Sequence, residues 1–288
     1  MAREVTDPID ARTNMNPAYL LRQLLLVVCV SVIAGDVFAQ EAKETFQPRV
    51  GQPGKDVIWV PTAQALVEKM LEVARVTAND YVIDLGSGDG RMVIAAAKRG
   101  ARALGIEYNP ELVELSKRNA AEAGVTDRAT FLKADLFESD LSQATVITMF
   151  LLPDLNMKLR PKLLELKPGT RIVSNSYTMG AWSADQIVTA DAGCVEFCAA
   201  YFWIVPAKVG GTWQLPEGEL ALKQSFQMVS GTLNSAGRTV QITNGRLAGG
   251  YISFNAGEAE YTGRVSGDAM EGTANSAGRK ARWTATRK

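Results

Sequence analysis

Between residues 57 and 209, short apolar runs alternate with amphipathic stretches. Tyr81-Val82-Ile83-Asp84-Leu85 is a β-branched run bounded by turn residues, which predicts a buried strand. Glycines 86, 88 and 90 follow, and then an apolar helix, Met92 to Lys98. Leu104-Gly105-Ile106-Glu107 predicts a second strand, and Asn109-Pro110 opens a helix with proline suited to its first turn. Further strands are predicted over Thr130–Leu136, Ala144–Leu152 (running into Pro153-Asp154) and Thr170–Ser176. Phe197–Val205 reads as a late antiparallel edge strand. Two amphipathic helices complete the set. One spans Ala63–Ala74; the other spans Asn156–Leu166, with Pro161 in its first turn or kinking it, and stops at Lys167-Pro168-Gly169. Strands alternating with helices predict an α/β fold, a Rossmann-like sheet with helices on both faces.

The pattern changes at Val209-Gly210-Gly211. From Thr212 the chain is glycine-rich with alternating apolar and polar residues. Leu220, Leu222 and Phe226-Gln227-Met228-Val229 suggest one strand; residues 240–242, 251–254 and 281–284 suggest others. Turn signals recur at strand-length intervals, which predicts a small antiparallel β-meander or barrel domain over 210–288. Ser230-Gly231-Thr232-Leu233-Asn234-Ser235-Ala236-Gly237-Arg238 is echoed by Glu271-Gly272-Thr273-Ala274-Asn275-Ser276-Ala277-Gly278-Arg279, so one Asn-Ser-Ala-Gly turn serves twice. Trp213, Phe226, Phe254 and Trp283 are candidate core aromatics.

The chemistry gathers at the glycine loop. A dinucleotide fingerprint needs G-x-G-x-x-G so that a pyrophosphate can sit on the helix N-terminus. Here the third glycine comes one residue early and Arg91 stands where that fingerprint needs glycine. Three predicted strands end in acids, Asp84, Glu107 and Asp135, in register with the loop. Open α/β sheets bind ligands along that carboxyl edge, and a carboxylate at Glu107 can accept hydrogen bonds from both ribose hydroxyls.

Asp84-Leu85-Gly86-Ser87-Gly88-Asp89-Gly90 resembles motif I of class I S-adenosylmethionine (SAM) methyltransferases. The resemblance implies a seven-stranded sheet and SAM as cofactor. It implies a binding set of Asp84, Gly86, Ser87, Gly88, Gly90, Glu107, Tyr108, Asn109, Asp135 and Leu136, with Asp135 meeting the adenine amino group and its apolar neighbour packing the ring. Trp59-Val60-Pro61-Thr62, Phe150-Leu151-Leu152-Pro153 and Arg171-Ile172-Val173-Ser174 narrow it further. Residues 57–205 look like the small lysine methyltransferases that modify the ATP synthase c-subunit and the adenine nucleotide translocase. That resemblance implies a protein lysine as acceptor; a small-molecule or lipid acceptor, and an exported SAM-binding module without catalysis, are the alternatives. The chain has no histidine, so a histidine general base is excluded. Asp154 and Tyr177, with Trp182, stand at the predicted mouth of strands four and five, and Asp154 or Tyr177 is the candidate to orient the amine. No metal site is predicted.

The remaining features concern location. Arg12 and Arg22 precede an apolar run, Leu24–Ala34, too short to span a bilayer comfortably, and Val37-Phe38-Ala39 resembles a cleavage site. Residues 1–39 thus read as a signal peptide or a membrane anchor, with membrane association through 20–39, and 40–56 as a flexible linker. The charge bias places the core (57–209) outside the cytoplasm, in conflict with a cytoplasmic supply of SAM. Lysine plus arginine balance aspartate plus glutamate at 31 each, so nothing favours a nucleic-acid partner. Cys194 and Cys198 are expected as buried thiols, since four residues apart in a strand is poor disulfide geometry.

Overall fold

The computed structural model describes residues 46–190 and 192–288. The expected targeting segment, 1–39, lies outside the described residues.

Among the described residues the first half forms a seven-stranded sheet in the order β3-β2-β1-β4-β5-β7-β6. Its strands are β1 (Tyr81–Leu85), β2 (Arg102–Glu107), β3 (Ala129–Lys133), β4 (Val146–Met149), β5 (Arg171–Asn175), β6 (Gln186–Thr189) and β7 (Ala199–Ile204). Strands β1 to β5 pair in parallel, and β7 inserts antiparallel between β5 and β6. The late strand is therefore antiparallel, as expected, but not the edge. The edge is β6, Gln186-Ile187-Val188-Thr189, a mostly exposed four-residue strand that was not predicted from the sequence.

Alternating residues send their side chains to opposite faces. Val82, Val146, Val173 and Phe202 pack under α1 (Gln64–Val73), α2 (Arg91–Lys98) and part of α3 (Pro110–Glu122). Their neighbours Ile83, Ile147, Ile172 and Trp203 pack with Leu159 and Leu163 of α4 (Pro153–Leu164). Strand four is shorter than its apolar run because Leu152 turns to an extended N-cap and Pro153 takes the first turn of α4. Asp154 is thereby drawn into the helix, and Pro161 falls two turns inside it rather than in its first turn.

The second half closes on itself. β8 (Gly211–Leu215), β9 (Gly218–Ser225), β10 (Met228–Ser235), β11 (Arg238–Ala248), β12 (Tyr251–Ala256), β13 (Ala259–Ser266), β14 (Ala269–Ser276) and β15 (Arg279–Arg287) form an antiparallel barrel, sealed where β15 meets β8. Closure removes the exposed strand edges that an open meander would leave. The repeated turn is real: Ala236-Gly237 and Ala277-Gly278 are all left-handed, as a two-residue hairpin turn requires. Trp213, Phe254 and Trp283 fill the barrel. Phe226 does not. It sits, with φ +55°, in the turn between β9 and β10, so the expected single strand there is two. Its ring stacks at 6.0 Å on Trp182, which is fully buried. Trp182 is thus part of the joint between sheet and barrel, not of the mouth of strands four and five. Gln227 Nε2 donates to Ser183 O (2.7 Å), and Arg246 pairs with Asp185 across the same joint.

Candidate active site

The glycine loop turns at the carboxyl end of β1 and is pinned from α3. Ser116 Oγ donates to Gly88 O (2.8 Å) and Asn119 Nδ2 to Asp89 O (2.8 Å). The glycines have different tasks. A side chain on Gly88 (φ +55°) would come within 2.8 Å of the Trp59 indole nitrogen, at the cleft. A side chain on Gly90 (φ +82°) would instead strike the Phe131 ring and Ser116, inside the fold. Gly90 is therefore a packing glycine and, contrary to the sequence expectation, does not line the cleft.

Nine of the ten expected binding residues do line it: Asp84, Gly86, Ser87, Gly88, Glu107, Tyr108, Asn109, Asp135 and Leu136. The cleft holds about 1070 Å³ of empty space, its open mouth included. Buried Ile106, Met149 and Leu151 give it an apolar floor. Glu107 ends β2, and each of its carboxylate oxygens takes one backbone donor, Gly88 N–H at 3.0 Å and Asn109 N–H at 2.9 Å. Each oxygen keeps a lone pair for a further donor.

Asp84 is 7% exposed and accepts a 2.6 Å hydrogen bond from Thr148 Oγ1. Burial pushes its pKa up to about 7, and the nearby Glu107 and Asp89 carboxylates add to the rise against the Thr148 bond. Asp135 pairs with Lys55 and accepts from Phe137 N–H (2.8 Å). The Lys55 hydrogen bond holds Asp135 below the usual carboxylate range, and the same bond raises Lys55.

Sequence reasoning missed the strap over this cleft. Residues 49–59, most of them (49–56) expected as flexible linker, fold into a hairpin-like loop. Gly51 N–H donates to Trp59 O and Trp59 N–H to Gln52 O, both at 2.9 Å. Pro53 pairs with Ile58 and Gly54 N–H donates to Val57 O (2.9 Å), so the chain turns tightly at Lys55-Asp56 rather than forming a flexible joint. Lys55 from this strap lies 4.6 Å over the Tyr108 ring. Arg91, which in the sequence sets a dinucleotide aside, donates to Thr62 O (2.8 Å), three residues beyond the strap, while pairing with Asp89.

The two candidates for orienting the amine separate. Asp154 is exposed in the first turn of α4 and does not line the cleft. Tyr177 stacks on Phe150, a cleft residue, at 6.2 Å. Its turn is held by Asn156, fully buried in α4, whose Nδ2 donates to Ser174 Oγ (3.1 Å) and to Tyr177 O (3.3 Å). Cys194 and Cys198 form a disulfide, with Cα atoms 5.7 Å apart. They stand in a loop before β7, not in a strand, and are half-buried. Left-handed Gly193 and Phe197 turn that loop back on itself, which closes a spacing a strand could not.

The donor set fits SAM. Five carboxylates line the cleft (Asp56, Asp84, Asp89, Glu107, Asp135) against two cations, Lys55 and Arg91, and each cation is already paired. Such a field suits a sulfonium and an ammonium and repels a pyrophosphate. Paired acceptors at Glu107 suit ribose hydroxyls, and the apolar walls suit adenine.

Fold and site together define a SAM-dependent methyltransferase. Residues 84–186 match the ANTKMT methyltransferase domain. A protein-lysine N-methyltransferase of Saccharolobus islandicus is 45% identical over 152 residues, which are 52% of this chain and 94% of that protein. The mouse adenine nucleotide translocase lysine N-methyltransferase is 32% identical, across 63% of this chain and 80% of that protein. The mouse lysine N-methyltransferase of the ATP synthase c-subunit is 38% identical across 44% of this chain; the match spans about half of its length (52%). A solved RNA methyltransferase from Salinibacter ruber, in complex with S-adenosyl-L-homocysteine, is 48% identical over 52% of this chain and 96% of its own, with a TM-score of 0.49. The chain belongs to the ANTKMT-type methyltransferase family.

Proposed function

We propose that this enzyme transfers the SAM methyl group to the ε-amine of a protein lysine. The 45% identity to a protein-lysine N-methyltransferase, across nearly all of that protein, is the observation that carries the reading. SAM supplies an electrophilic methyl on a cationic sulfur. The amine nitrogen forms the new bond to carbon, the carbon–sulfur pair leaves with sulfur, and the amine's proton goes to solvent. Such an in-line displacement needs alignment and exclusion of water more than a strong base. The residues match that need. Glu107 and the glycine loop hold the nucleoside, Ile106, Met149 and Leu151 keep the floor dry, and the strap covers the mouth. The acceptor lysine must be neutral to attack, and an apolar entrance lowers its pKa.

A second proposal concerns location. The Cys194–Cys198 disulfide supports the reading of residues 1–39 as an export signal or an outward-facing anchor, since such bonds persist in oxidising compartments.

The acceptor is tested by incubating the enzyme with methyl-tritiated SAM and a proteome lacking its gene product, then hydrolysing the labelled material to amino acids. Label in methylated lysine is expected. Label confined to lipid, nucleotide or small molecules contradicts the lysine reading.

A further inference from the structure

Three aromatic rings meet at the carboxyl ends of β4 and β5. Phe150 and Tyr177 stack with planes 25° apart. Phe197 leans on both, its centroid 5.3 Å from Phe150 and 6.4 Å from Tyr177. Phe150 lines the cleft, and the other two rings carry the aromatic surface onward from it. The cluster is not core. Phe197 is 37% exposed and Tyr177 is half-buried.

The backbone beneath the rings is strained. Ser176, just before Tyr177, has φ +58°, and Phe197 has φ +56°. L side chains rarely adopt this left-handed conformation. Each is held in place from outside. Ser176 N–H donates to Ala199 O (2.7 Å), and Ser176 Oγ to Asn175 Oδ1 (2.8 Å). Phe197 is held within the loop that the Cys194–Cys198 bond closes. Strain maintained at an exposed aromatic surface beside a cleft points to use rather than to stability.

We propose that Phe150, Tyr177 and Phe197 form the box through which the acceptor amine enters, with the Cys194–Cys198 bond as the device that positions Phe197. The inference rests on the lysine reading above. Aromatic faces attract an ammonium group, bare or methylated, and pack its aliphatic stem. Loss of water around the amine opposes that attraction and favours the neutral form that attacks. Phe197 acts in this scheme as a specificity residue and the disulfide as a positioning element.

The test measures methyl transfer to a library of lysine-centred peptides, with SAM affinity followed by calorimetry on the same full-length preparations. Phe197→Ala is expected to raise the peptide KM about tenfold. It should change kcat less and leave the SAM Kd unaltered; Phe197→Tyr should restore the KM. The double variant Cys194→Ser/Cys198→Ser should raise the KM in the same direction. An unchanged peptide KM in Phe197→Ala, while the wild type methylates lysine, overturns the box and leaves the lysine reading standing. A KM that rises only in step with a weakened SAM Kd also overturns it, because the residue is then merely structural. A wild type that binds SAM and labels none of the lysine peptides overturns the lysine reading and the box together.

Discussion

Asp84 ends β1 with its carboxyl buried beside two other carboxylates; burial, and then those charges, raise its pKa from 3.8 to about 7. The folded protein therefore keeps a proton that the unfolded chain releases between about pH 4 and 7. Stability contributed by this group is full below pH 4, falls as pH rises through that window and levels off above 7, by at most about 4 kcal/mol. Asp84→Asn should flatten this dependence, read as the urea midpoint at pH 5 and pH 8. A cationic ligand favours the ionised form, so wild-type SAM affinity should rise with pH up to about 7 while that of Asp84→Asn stays level. Spacing makes Gly90 look equivalent to Gly88, and only the Phe131 ring packed against it shows otherwise.

At the scale of elements, β1, β2, α1, α2 and the closing turns of the barrel were legible because apolar period and turn chemistry agree there. Strand β6 was not, because its residues are mostly exposed and its pairing comes from β7, not from burial. The strap was misread for a related reason. Gly51 and Pro53-Gly54 have linker composition, and the order of the strap comes from hydrogen bonds to Trp59 and Val57 and from the Lys55–Asp135 pair. That pair has a consequence. If Asp135 receives the adenine amino group, Lys55 competes for the same carboxylate. Lys55→Ala should then tighten SAM binding severalfold in a calorimetric titration. Weaker binding contradicts competition and makes Lys55 a ligand contact instead.

At the scale of the molecule, the change at Val209-Gly210-Gly211 announced a second architecture, but nothing in the chain showed what joins it to the first. The joint is Trp182 on Phe226, Gln227 on Ser183 and Arg246 on Asp185. Trp182 and Phe226 each looked assignable elsewhere, one to the site and one to the barrel interior, because a large aromatic signals burial without naming its partner. Trp182→Ala should cost about 3–5 kcal/mol. It should also split a single thermal transition into two, as barrel and sheet lose their coupling. Trp182→Phe should cost much less, since the buried indole nitrogen has no hydrogen-bond partner to lose. Everything proposed for catalysis requires the cleft at the carboxyl edge of the sheet to bind SAM. Calorimetric titration of SAM into the full-length wild type, Glu107→Ala and Gly88→Arg tests this directly. One-site binding by the wild type, at least tenfold weaker in Glu107→Ala and absent in Gly88→Arg, is the predicted result. Equal affinity in all three folded proteins would place the cofactor elsewhere and contradict the account.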